Sequence, residues 1–131
     1  MDETVPQFIY PPKDEGLRKR LEAKLKEYES RKMGEGKPWE TMHPELAYLT
    51  HASYRDARDK VDVLSAVLAA TAENPVNTWE LSEKLHKQYN GALDVGSFSN
   101  ACGVISNYLG QTSLPWRDPG TGLPKLDTSE A

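Results

Sequence analysis

The chain has 131 residues, 37% hydrophobic and 27% charged, with a net charge of -4 and one cysteine. That length suits one core plus an arm, and a single cysteine excludes an internal disulfide framework and a Cys-based zinc site. No run approaches the roughly 18 apolar residues that cross a bilayer, and the acidic start Met1-Asp2-Glu3 lacks the basic and apolar segments of a signal peptide, so a soluble, cytoplasmic protein without membrane contact is expected.

Charge is unevenly spread. Residues 17 to 37 hold eight basic side chains (Arg18, Lys19, Arg20, Lys24, Lys26, Arg31, Lys32, Lys37) against four acidic ones. Residues 77 to 126 balance, with Lys84, Lys87, Arg117 and Lys125 against Glu80, Glu83, Asp94 and Asp118. A footprint for a polyanion would thus come mainly from the N-terminal part.

Residues 1–16 contain Pro6, Pro11 and Pro12, which deny helix and favour an extended arm. It is read as a tail laid over the domain's own surface or, alternatively, as a docking peptide for another chain. Residues 17–37 form a basic amphipathic helix and linker: Leu17, Leu21, Leu25 and Tyr28 make one narrow stripe, Glu22–Lys26 and Glu27–Arg31 stand four apart, and Gly34, Gly36 and Pro38 break the run. The stripe is too short for a long coiled coil, although a homodimer remains among the assemblies it allows.

Residues 38–126 carry the main domain, and 127–131 a frayed tail. A short leading helix is expected around Pro44, with Leu46, Leu49 and Tyr48 turned inward. His43 and His51 lack a third ligand at a metal spacing, so surface or cap histidines are expected there and no metal is assigned. Arg55, Asp56, Arg58, Asp59, Lys60 and Asp62 pair across one turn and suggest a solvated helix face, opposite the inward Val61, Leu64, Val67 and Leu68. The helix is expected to end at Asn74-Pro75.

Asn77 or Thr78 is placed to cap the next helix, Trp79, Leu81 and Leu85 give its apolar side, and Asn90-Gly91 ends it. A third helix is expected over Ser97–Leu109. Phe98, Ala101 or Cys102, Ile105 and Leu109 face inward in this reading, and Ser99, Asn100, Gly103, Ser106 and Asn107 outward. Cys102 has no electropositive neighbour in sequence and is expected to be a buried small hydrophobe. Asp118-Pro119-Gly120-Thr121-Gly122 then supplies a turn between Leu114-Pro115-Trp116 and Leu123-Pro124-Lys125-Leu126, an irregular hairpin.

A helix, then Asn77-Thr78-Trp79-Glu80-Leu81, then a third helix ending Ile105-Ser106-Asn107-Tyr108-Leu109-Gly110, then a Pro/Gly-tipped hairpin, resembles the winged helix-turn-helix superfamily over about residues 57–126. The resemblance implies a mainly α, three-helix winged helix-turn-helix-like domain with a C-terminal hairpin as wing and an N-terminal helical arm, whose third helix enters a DNA major groove. The sequence departs from that pattern in carrying no Lys or Arg on the third helix.

No nucleophile elbow, phosphate loop or paired carboxylates stand in a recognisable context, so a non-enzymatic chain without catalytic residue or cofactor is expected. The first reading is a module for double-stranded DNA, a small transcriptional or phage- or plasmid-type regulator. The alternative is a winged-helix adaptor or inhibitor that binds protein. The residues expected to contact either partner are Ser97, Ser99, Asn100, Gly103, Ser106 and Asn107 on the third helix, Arg117 on the wing, Lys84 and Lys87 on the second helix, and Arg18, Lys19 and Arg20 on the arm helix.

Overall fold

The computed structural model describes residues 8–111. In chain order these form β1 (Phe8–Ile9), α1 (Glu15–Met33), a 3-10 turn (Pro38–Thr41), α2 (Pro44–Thr50), α3 (Ala52–Ala69), β2 (Val76–Asn77), α4 (Thr78–Gln88) and α5 (Val95–Tyr108). The described chain is therefore mainly helical, with one small antiparallel sheet in which Phe8 faces Asn77 and Ile9 faces Val76. The hairpin expected after Leu109, with Arg117 and Trp116, and the tail at 127–131 lie outside the described residues.

Helix boundaries follow local chemistry. Asp14 caps α1 by accepting from the Leu17 amide at 2.9 Å, and Gly34 closes it with a left-handed φ of 67°. A Cβ at Gly34 would lie 2.1 Å from the Trp39 indole nitrogen, so glycine is needed for space as well as for dihedral. That indole donates to the Arg31 carbonyl at 3.2 Å and folds the 3-10 turn back onto α1.

Pro44 occupies the first turn of α2, and His43 Nδ1 accepts from the Glu45 amide at 3.2 Å. The helix α3 ends at Ala69, earlier than Asn74-Pro75, because Ala70 is already extended and Thr71 bonds Asn74 in a tight turn. Asn77 Oδ1 accepts from the amides of Trp79 and Glu80 at 3.0 and 3.2 Å, which starts α4 where the capping pattern placed it. Asp94 does the same for α5 by accepting from the Ser97 amide, so that helix begins at Val95, two residues before the expected Ser97.

The main core joins Ile9, Leu21 and Tyr28 to Val61, Val63, Leu64 and Val67 of α3, Val76, Leu85, and Phe98, Ala101, Cys102, Val104 and Ile105 of α5. Leu21 and Tyr28 place α1 in that core along α3, and Arg18 Nη1 reaches the Leu68 carbonyl at 3.1 Å to satisfy the C-terminal turn of α3. The described part of the arm lies on the domain's own surface. Ile9 is fully buried, and the Gln111 side-chain amide grips Tyr10 on its other edge, accepting from the amide at 2.8 Å and donating to the carbonyl at 2.7 Å.

A second cluster of Ala47, Tyr48 and Tyr54, with Trp39 and Met42 against it, holds α2. Here the inward phase differs from expectation. Tyr48 is buried as expected, but Leu46 and Leu49 are exposed and Ala47 takes the inward place beside Tyr48. The Tyr48 hydroxyl fixes that rotation: it donates to Asp59 at 3.0 Å and accepts from the Asp94 amide at 2.9 Å, contacts the leucines cannot make.

Candidate interaction surface

The charged run on α3 is not a solvated face. Arg58, Asp59 and Lys60 are buried. A buried charge is tolerated only when other groups replace water, and each of the three has such groups. Lys60 Nζ lies 3.1 Å from Asp56 and 5.3 Å from the Tyr28 ring centroid on α1. The Arg58 guanidinium is stacked between Tyr48 and Tyr89, 3.5 and 3.6 Å from their ring centroids, and its Nη2 donates to the Ala92 carbonyl, while Nε and Nη1 have no hydrogen-bond partner among the described residues and rest against the two rings' faces alone. Asp59 accepts from the hydroxyls of Tyr48 and Ser97, and Asp62 from the Tyr89 hydroxyl at 2.9 Å. This network ties α2, α3, the end of α4 and the start of α5 together.

Its electrostatics follow from burial. Burial pushes the Asp59 carboxyl up to about 6, against the lowering pull of the Ser97 and Tyr48 hydrogen bonds and of Arg58. Asp62 is likewise raised by burial, and the tyrosine hydroxyls of Tyr48 and Tyr89 are held protonated by burial beside these carboxylates. Cys102 is buried and its thiol is pushed up by burial and by Asp59, which suits packing and not nucleophilic chemistry.

The expected contact residues separate into three groups. Gly103, Ser106 and Asn107 are buried, a correction to the outward face assigned to them. Residues 101 to 107 are all buried, so this stretch of α5 is enclosed on every side and leaves no face for solvent. Ser97, Ser99 and Asn100, nearer the N-terminus of α5, are half-buried, and the Ser97 hydroxyl is already committed to Asp59. Lys84 and Lys87 on α4 and Lys19 and Arg20 on α1 are exposed, whereas Arg18 is half-buried and bonded to Leu68. Arg117 lies outside the described residues.

Among the described residues the Ser106 hydroxyl and the Asn107 amide have no hydrogen-bond partner. A buried unpaired hydroxyl costs free energy, so Ser106→Ala is expected to leave stability unchanged or to raise it by up to about 1 kcal/mol, whereas loss of more than that in denaturant unfolding would place an unseen partner on the hydroxyl.

The outward face of α4 and of the start of α5 holds a residue that sequence reasoning placed inside: Trp79 is 73% exposed, and Val95 is 63% exposed. Exposed on the same two helix segments are Glu80, Glu83, Lys84 and Lys87 of α4 and the α5 cap Asp94, a sum of -1 (two positive, three negative). The cap explains Trp79: Asn77 fixes α4 in a phase where Leu85 is buried and Leu81 partly so, and Trp79, six residues before Leu85, points away. Among the described residues no group of His, Cys, Asp or Glu could hold a metal ion, and no helix is long and apolar enough to cross a membrane. Compared with protein-family models, curated proteins and solved structures, the chain matches none.

Proposed function

We propose that this chain is a non-enzymatic interaction domain of winged-helix-like build, and that it binds another protein through the outward face of α4 and the start of α5. The order α3, β2, α4, α5 supports the winged-helix resemblance. The observation that carries the protein-binding reading is Trp79, a large aromatic side chain held in solvent on a capped, well-anchored helix. Exposed tryptophans of this kind are what protein interfaces use as anchors, burying up to about 250 Å² each. The charge of the exposed residues on those segments argues the same way: a sum of -1 repels phosphate, and α5 brings no Lys or Arg.

Double-stranded DNA is the second reading, favoured by Lys19 and Arg20, which are exposed on α1. In that reading α1, packed on α3, and not the third helix, supplies the phosphate contacts.

The test compares wild type with Trp79→Glu. Thermal unfolding should be unchanged, because the indole touches little of the core. A protein captured by wild type should be lost by the variant, with affinity lower by about thirtyfold or more, the ratio expected for an interface anchor. Binding to random duplex that falls about a thousandfold from 50 to 200 mM salt and ignores Trp79→Glu would replace this reading with the DNA one.

A further inference from the structure

We propose that Asp59 is a one-proton switch that sets how firmly α2 and the start of α5 are clamped to α3. The proposal concerns the conformation of the clamp and stands whatever α4 and α5 bind. Its basis is the geometry of one network: the Asp59 carboxyl is fully buried and, among the described residues, accepts from the hydroxyls of Tyr48 and Ser97, while the Arg58 guanidinium stacks between Tyr48 and Tyr89 and donates to the Ala92 carbonyl. Lys60 is directed to Asp56 and Tyr28 instead. Ionised, Asp59 is a buried charge with no ion pair among the described residues, and a proton on it removes that charge.

The groups facing Asp59 are Tyr48 from α2, Ser97 and Cys102 from α5, and Arg58 and Asp62 from its own helix; Tyr89 of the α4 end and Lys32 of α1 act on Asp62. Ionised, the carboxylate accepts from both the Tyr48 and Ser97 hydroxyls and pays a desolvation cost. Protonated, it keeps the Tyr48 bond and donates its own O–H to Ser97 Oγ, whose hydrogen turns away. One proton thus removes the buried charge without breaking the joint.

Burial raises the Asp59 carboxyl from 3.8 to about 6 in the fold. A carboxyl raised on folding contributes its stability in full below its ordinary value and loses it as pH rises through about 6. Mild acid tightens the clamp, and between pH 5 and 7 the ratio of closed to open should fall on the order of tenfold.

The experiment follows the Asp59 side-chain carbon by carbon-13 NMR from pH 3 to 8, and the exchange of the Tyr48 amide at pH 5 and 7 corrected for intrinsic rates, both on the full chain. The expected result is a carboxyl midpoint near 6 and about tenfold more frequent opening at pH 7, with Asp59→Asn abolishing the pH dependence of opening. Ser97→Ala, which removes a bond favouring the ionised form, should move the Asp59 midpoint upward, and this holds the proposal to account if Asp59→Asn does not fold. A carboxyl midpoint near 4, equal opening at the two pH values, or a midpoint that falls in Ser97→Ala would each overturn it.

Discussion

Arg58→Ala is expected to cost about 3 to 5 kcal/mol in denaturant unfolding, the range for removing one partner of a buried charge network. Three losses combine. The guanidinium leaves a gap between the Tyr48 and Tyr89 rings, 3.5 and 3.6 Å on either side of it, and packed cores close such gaps only partly. The Ala92 carbonyl loses its donor. Asp59 and Asp62 both lose a cation that offsets them, so the Asp59 carboxyl should titrate still higher than about 6.

Arg58→Lys separates charge from shape. A lysine restores the positive charge but not the flat stack between two rings, so it should recover only part of the loss. Full recovery would mean that charge alone holds the network, and a loss below about 1 kcal/mol in Arg58→Ala would mean that the guanidinium is effectively solvated.

Helices and caps were legible because their signals are local. Asn77 before α4, Pro44 in the first turn of α2 and the Leu17–Tyr28 stripe of α1 act within one or two turns. Burial was less legible where a side chain far along the chain decides it. Leu46 and Leu49 look inward by hydropathy, but the Tyr48 hydroxyl bonds Asp59 and the Asp94 amide, 11 and 46 residues away, and that sets the rotation.

The charged run on α3 misled for a related reason. Pairings four residues apart describe an exposed helix equally well. One signal pointed the other way: extending the buried phase of Val61 and Leu64 backward by three and four residues lands on Ala57, Arg58, Lys60 and Val61, which are all buried. Of the candidate residues, Lys19, Arg20, Lys84 and Lys87 are exposed as their charge suggests, whereas Ser97, Ser99 and Asn100, expected outward, are half-buried. The enclosure of Gly103, Ser106 and Asn107 was not, because an uncharged polar stripe is compatible with solvent or with a tightly packed neighbour.

Leu21→Ala is expected to destabilise the whole fold, and not α1 alone, by about 2 to 5 kcal/mol, the range for truncating a fully buried leucine. By its stripe alone α1 could be a helix that merely leans on a separate domain. Its side chains are more deeply committed than that. Leu21 and Tyr28 are fully buried in the core shared by α3 and α5, Arg18 closes the C-terminal turn of α3 at Leu68, and the Tyr28 ring receives Lys60. Removing the Leu21 methyls therefore leaves a cavity against α3, whose own buried face then lacks a partner. Hydrogen exchange resolves the two cases. The slowest amides, within Val63–Val67 and Ala101–Ile105, should accelerate together with those of α1 in Leu21→Ala. If only α1 opens while those amides keep their protection, α1 is an appendage and the remaining helices fold without it.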